Sequence, residues 1–250
     1  MVNQLQFIDQ FKDILKSYQP SDSTRKILND VNFCLFLGPS AAGRSTIIKE
    51  LQKLNGYHFI VSDTTRQPRF NDGILEQNGI EYWFRKEEDF LTDLKKGLYL
   101  EAEIIHNQQV SGISVRELKK AQKSLKIAVS DIDLGGVDSV LAIKPDAKCF
   151  IILPPSFEIW LERLTSRDVI SKDEIIRRMK TAIDIFDKCL YQPNFQIIIN
   201  NDFKSTVTLV DQLCRSNVDN HKNSSIKIEL LSTLLLQTRQ YVNQFGTLDT

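Results

Sequence analysis

The chain has 250 residues, 42% hydrophobic and 26% charged, the balance of a soluble globular protein of one or two domains. Its 32 Lys plus Arg match its 32 Asp plus Glu, so the net charge is zero and gives no electrostatic case for bulk binding to nucleic acid or an anionic membrane. Any positive charge that matters must be local.

At the N-terminus, residues 4 to 18 place Leu5, Phe7, Ile8, Phe11, Ile14, Leu15 and Tyr18 on one side of a 3.6-residue repeat, predicting an amphipathic helix that Pro20 and Ser21 end. Val31 to Leu37 is an apolar run bounded by Gly38-Pro39 and reads as a buried strand. A helix follows, with Ile47, Ile48, Leu51 and Leu54 on one face and Gly56 after its last turn. From 57 to 115 the texture changes to short β-prone runs, YHFIVS and IEYWF, with turn signals at Asn71-Asp72-Gly73 and Asn78-Gly79. This stretch reads as a small mixed insertion, with one helix over about 87–96 closed by Gly97. Ser114 and Glu117 have capping-box spacing for a helix to about 124, and Ser171 and Glu174 have it for one to about 188. LKIAVSD, AKCFIIL and FQIIIN read as strands, and Pro154-Pro155-Ser156 opens a helix carrying Ile159, Trp160 and Leu164. Alternating helices and strands too apolar to have a wet face predict an α/β fold, a parallel sheet flanked by helices. Residues 226–245 form a leucine-rich helical pattern behind a polar stretch.

Asp9, Lys12 and Asp13 interrupt the N-terminus where a secretory signal needs an apolar run, and no segment approaches the roughly eighteen apolar residues of a membrane span. A cytoplasmic protein is expected. Cys34, Cys149, Cys189 and Cys214 are widely separated and lack the paired spacing of a zinc site or redox dithiol. Cys34 and Cys149, inside apolar runs, read as buried thiols. His58, His106 and His221 are isolated and are assigned no chemistry.

The first apolar strand runs into Gly38-Pro39-Ser40-Ala41-Ala42-Gly43-Arg44-Ser45-Thr46, the phosphate-loop pattern G-x-x-x-x-G-K-[ST] with Arg in place of Lys. Two glycines let the chain wrap a phosphate, and main-chain N–H groups at a helix N-terminus supply donors and partial positive charge. Arg44 would bridge terminal phosphate oxygens, and Ser45 would offer its hydroxyl to Mg²⁺. Guanidinium keeps the charge of the usual ammonium but is bulkier and forked.

With that loop and the motifs after it, residues 31–215 resemble the guanylate kinase family, P-loop NTPase-type nucleoside monophosphate kinases that phosphorylate GMP from ATP. Ser62-Asp63-Thr64-Thr65-Arg66-Gln67-Pro68-Arg69 is similar to the family's S-x-T-T-R-x-P-R, and Asn78 to Phe84 to its N-G-x-x-Y-x-F. The resemblance implies that Ser62 faces guanine, that Arg66, Arg69 and Tyr82 hold the acceptor phosphate, and that Glu101 and Asp133 read the base. It implies that Asp131 sits near the metal, that Arg163, Arg167 and Arg178 belong to a lid closing over ATP, and that Asn200 lies near adenine. The chemistry of these types agrees: guanine offers N1–H and an amine, so its readers must accept, and forked guanidinium groups suit phosphate oxygens. On this basis Mg²⁺ and ATP are the expected cofactor and phosphoryl donor. The expected parts are a helical extension over 1–30, a kinase-like domain over 31–215 with a GMP-binding subdomain at about 60–115 and a helical lid at about 163–180, and a second helical extension over 216–250.

Several positions depart from the family's pattern. Ser111 and Ile113 flank Gly112 where a tyrosine and a serine are usual, Ala41 replaces a common glycine, Gly135 stands where glutamine is frequent, and residues 70–77 lengthen a connection. Two alternatives to GMP phosphorylation therefore stay open: a non-catalytic guanylate-kinase-like binding module, and a kinase for another phosphorylated acceptor. The apolar faces of the terminal helices must be covered by the domain, by each other or by a second chain through self-association.

Overall fold

A computed structural model of the protein describes residues 5–71, 73–105, 107–166, 171–192, 194–216 and 223–246. Two short helices, α1 (Ile8–Leu15) and α2 (Asp22–Asn29), precede strand β1 (Phe33–Leu37) and helix α3 (Arg44–Lys53). Short strands follow: β2 (Tyr57–Phe59), β3 (Asp63–Thr64), β4 (Phe70–Asn71), β5 (Ile74–Leu75) and β6 (Trp83–Phe84). Next come α4 (Glu87–Lys95), β7 (Tyr99–Ile105), β8 (Gln109–Ser114) and α5 (Val115–Ser124). Regular alternation then runs through β9 (Ile127–Asp131), α6 (Leu134–Ile143), β10 (Lys148–Leu153), α7 (Phe157–Thr165) and α8 (Lys172–Tyr191). The chain ends with β11 (Phe195–Ile199), α9 (Phe203–Arg215) and α10 (Ser225–Phe245). These elements form two compact units, Met1–Phe33 with Gly56–Ala147 and Cys34–Asn55 with Lys148–Thr250.

In the first unit β2 and β9 run parallel, Tyr57 beside Ile127 and Phe59 beside Val129. A mixed sheet has the order β6-β3-β8-β7, with β8 antiparallel to both β3 and β7. The run from 57, expected within the mixed insertion, is thus divided. Tyr57 and Ile60 are buried, and Ile60 N–H donates to Val129 O at 2.9 Å, so the chain stays beside β9 until Asp63 enters the mixed sheet.

The N-terminal segment belongs to this unit, and its helix is shorter than the periodicity predicts. Phe7 has no side chain with which to cap α1, so the Glu87 carboxylate of α4 accepts from Gln6 N and Phe7 N at 3.2 and 3.1 Å. Phe11 packs edge-on against Phe90, and Leu5, Leu91, Leu94, Tyr99 and Val110 complete the cluster. Ser21 does not merely end a helix: its hydroxyl accepts from Thr24 N and starts α2, whose Thr24 hydroxyl donates to Gly97 O at 2.8 Å. Ser114 caps α5 as expected, through Arg116 N, but Glu117 does not reciprocate. Its buried carboxylate instead accepts from His58, Trp83 and Lys120, and these bonds outweigh the cost of burial and hold it down at about 2.

In the second unit the parallel order is β11-β10-β1, with Cys34 beside Lys148 and Ile151 beside Ile197. Every residue of β1 is buried, as a strand covered on both faces requires. Helix α10 packs on α8 and α7 and buries Leu231, Leu234 and Leu235; Tyr241 lies 5.9 Å from Phe157. The apolar faces of α1 and α10 are thus partly covered, each within its own unit, while Ile226, Ile228 and Leu236 of α10 stay exposed. All four cysteines are free and buried. Among the described residues, no helix is long and apolar enough to cross a membrane.

Candidate active site

The phosphate loop, Gly38 to Thr46, joins β1 to α3 in the second unit. Gly38 has φ +149°, and a Cβ there would lie 2.3 Å from Ile152 O; Gly43 has φ +99°, and a Cβ would lie 2.3 Å from Asn200 Nδ2. Both positions therefore demand glycine. Ala41, in the same loop, is held at φ +63°, a left-handed conformation that an L-residue adopts at a cost. Ala42 N–H donates back to Pro39 O at 3.2 Å, which tightens the turn. Arg44, Ser45 and Thr46 form the first turn of α3, so the loop ends at a helix N-terminus.

Two side chains from distant elements fix the outside of this loop. Trp160 of α7, fully buried, donates from Nε1 to Ser40 O at 2.8 Å, and Asn200 donates from Nδ2 to Ala42 O at 2.9 Å. Each takes a loop carbonyl, which leaves the loop's remaining N–H donors to define its chemistry. Asn200, expected near adenine, thus commits its amide to the loop, and its main-chain O accepts from Arg163 Nη1 at 3.2 Å. Arg178 of α8 donates from Nε to Glu174 Oε1 at 2.6 Å, and Arg177 bonds the same carboxylate. Ser171 caps α8 through Glu174 N. Arg167 lies outside the described residues.

The acceptor-side residues gather in the first unit. Ser62 precedes β3 and its O accepts from Trp83 N at 2.9 Å. Arg66 forms a two-point pair with the Glu76 carboxylate at 2.5 and 2.9 Å, and its guanidinium lies 4.8 Å over the Tyr82 ring. Glu76 Oε2 also accepts from Arg69 N at 2.9 Å, so one carboxylate sets the backbone of one expected phosphate-binding arginine and the side chain of the other. The lengthened connection is the exposed β4–β5 hairpin, which returns the chain to Glu76.

On β7 the Glu101 carboxylate accepts from Ile113 N at 3.0 Å. Burial, then the neighbouring charges of Asp133 and Glu103, push Glu101 up to about 8. Asp133 caps α6, its Oδ1 accepting from Gly136 N at 2.7 Å, and Glu103 is hydrogen-bonded to it and raised by burial and by that contact. Asp131 ends β9, half-buried. The two departures beside Gly112 serve the framework: Ser111 Oγ donates to Thr64 Oγ1 at 2.9 Å, and the Ile113 side chain is buried. The sequence reading missed Asp63, Glu76, Glu103 and Trp160. Of these, only Glu76 carried a signal, a carboxylate three residues before Gly79 of a motif already noted.

Comparison with known proteins agrees with this geometry. The guanylate kinase family model matches residues 31–217. The guanylate kinase of Helicobacter pylori (strain ATCC 700392 / 26695) is 36% identical over 191 residues, covering 76% of this chain and 89% of its own length. That of Corynebacterium diphtheriae is 32% identical over 179 residues, covering 70% and 90%. The crystal structure of guanylate kinase from Anaplasma phagocytophilum shares the fold, with a TM-score of 0.54 at 21% identity, over 83% of this chain and 97% of that one. A family match across most of the sequence and relatives 36% and 32% identical over about nine-tenths of their own length lead to one assignment: this chain belongs to the guanylate kinase family.

Proposed function

We propose that the protein transfers the terminal phosphoryl group of ATP to GMP, giving ADP and GDP. The observation that carries this reading is the acceptor cradle: Glu101 is fixed by Ile113 N within reach of the Asp133 charge, and Arg66 and Arg69 are both arranged by Glu76. Carboxylates accept from the guanine N1–H and amine, and the guanidinium groups take the phosphate. On the donor side, the phosphate loop supplies N–H donors and Arg44, and Arg163 and Arg178 belong to the lid. Phosphoryl transfer needs positioning and cancellation of charge on the equatorial oxygens, for which converging arginines suffice.

Mg²⁺ is the expected partner of ATP in this reaction. Ser45, on the first turn of α3, and Asp131, at the end of β9, are hard oxygen ligands of the kind Mg²⁺ takes one or two at a time, with water and phosphate supplying the rest. Bound with ATP, the ion would offset the charge of the donor phosphates. A cytoplasmic location goes with this activity and with four buried cysteines held as thiols rather than disulfides.

The test is an ADP-release assay with the purified protein, ATP and Mg²⁺, offering GMP, AMP, UMP and ribose phosphates in turn. GMP is expected to be the preferred acceptor, and no GMP-dependent turnover above that of an Arg66→Ala, Arg69→Ala variant rejects catalysis. Ser111 and Ile113 favour the non-catalytic module, because neither supplies the phosphate or base contact usual there; GMP binding without turnover would establish that reading.

A further inference from the structure

The N-terminal segment, outside the region that matches the family, reaches the proposed acceptor cradle through a series of hydrogen bonds and ring contacts. Tyr99 lies on β7, the edge strand of the mixed sheet, where the β7–β8 register shifts between Tyr99 and Glu101. Tyr18 closes that edge: its hydroxyl donates to Tyr99 O at 2.7 Å and accepts from Tyr99 N at 3.1 Å. One phenol thus satisfies both main-chain groups of an edge residue that the sheet leaves unpaired. The Tyr99 ring stacks on Phe90 at 4.2 Å, and Phe90 in turn receives Phe11 of α1 at 6.0 Å.

From there the Tyr99 hydroxyl reaches past β8 to β3 and donates to Asp63 Oδ2 at 2.8 Å. Asp63 is fully buried, between Ser62 and Thr64 and three residues before Arg66. It also accepts from Arg85 Nη1 at 3.1 Å and from Arg116 Nη2 at 2.6 Å. A buried carboxylate with three donors has one favourable placement, and β3 carries it. The backbone on either side is fixed as well, with Trp83 N donating to Ser62 O and Arg85 N to Thr64 O.

We infer that Tyr18 and Tyr99 are positioning residues for the acceptor: through Asp63 they set the Ser62–Arg69 segment that receives the GMP base and phosphate, so the N-terminal segment is part of the acceptor half of the enzyme. This rests on GMP being the acceptor, as proposed above. The chemistry does not pass through either tyrosine, so its loss should loosen GMP binding and leave the donor side alone.

The test uses Tyr18→Phe and Tyr99→Phe in the full chain. Each removes one hydroxyl and keeps the ring, so the Phe90 stack survives Tyr99→Phe. The KM for GMP is expected to rise about three- to tenfold in each, the range of a lost buried hydrogen bond, with kcat at saturating GMP and the KM for ATP unchanged. A lower melting temperature with both KM values as in the wild type means a structural role only and overturns the inference. A wild-type protein without GMP-dependent turnover rejects the acceptor assignment itself, and the inference with it. Wild-type turnover with unaltered variant KM values rejects the inference alone.

Discussion

Asn200 Nδ2 donates to the Ala42 carbonyl at 2.9 Å, and this single bond ties the end of β11 to the middle of the phosphate loop. Because the main-chain O of the same residue accepts from Arg163, Asn200 couples the loop to an arginine of α7. Replacing Asn200 with Ala leaves a buried carbonyl without its donor, at about 1–3 kcal/mol. The expected outcome is a KM for ATP raised about fivefold or more with the KM for GMP unmoved; a change confined to GMP would contradict the placement of Asn200 on the donor side.

Arg44 stands at the start of α3, where the family pattern has lysine. Loss of its charge in Arg44→Ala should lower kcat by about 10²–10³, the scale on which a phosphate-facing group acts. Arg44→Lys should keep turnover within about tenfold of wild type, since the ammonium supplies the same charge from a smaller head. Steady-state kinetics with saturating GMP separate the two; equal rates in all three proteins would remove Arg44 from the reaction.

Ala41 holds a left-handed conformation at φ +63°. Glycine adopts it freely, so Ala41→Gly should relieve about 0.5–1 kcal/mol, partly offset by the freedom glycine adds to the unfolded chain. The melting temperature is expected to rise by about 1–3 °C in a calorimetric scan. A fall would show that the loop tolerates alanine without strain.

Glu101, raised by burial to about 8, holds a proton in the free protein at neutral pH, whereas the two donors of guanine, N1–H and the amine, favour its ionised, acceptor-only form. GMP binding should therefore release a proton, and the KM for GMP should fall as pH rises towards 8, by up to about tenfold per unit. The sign for stability is opposite. A carboxyl raised in the folded state contributes fully below its ordinary value of 4.5, and that contribution is lost as pH climbs through about 8. Calorimetric titration in buffers of different ionisation enthalpy measures the proton, and a Glu101→Gln variant should flatten the profile. A GMP affinity constant between pH 6 and 9 would exclude this role.

Much of the fold was legible because its signals are local. The strands of the second unit are almost wholly apolar, interrupted only by Lys148 and Gln196, and Gly38 and Gly43 mark the loop by conformations that glycine alone takes readily. Helices α2, α6 and α9 drew no expectation: α2 offers few apolar residues, α6 carries Gly135-Gly136, and α9 is rich in β-branched Thr and Val. The site divides in the same way. Groups expected to face substrate are recognisable by type and motif, whereas their supports depend on partners far along the chain. Tyr99 meets Asp63 across 36 residues and Trp160 meets Ser40 across 120, and no periodicity records such a meeting.

The burial of the cysteines has a practical consequence. Cys34, Cys149, Cys189 and Cys214 all fall in the second unit, and the first contains none. Cys34 is held well above its ordinary value, first by its hydrogen bond with Cys214 and then by burial, and burial pushes Cys149 and Cys189 to about 12. Thiolate, the form that reacts, is therefore scarce while the unit is closed. Alkylation rates in the unmodified protein thus act as a clock for opening of the phosphate-loop half.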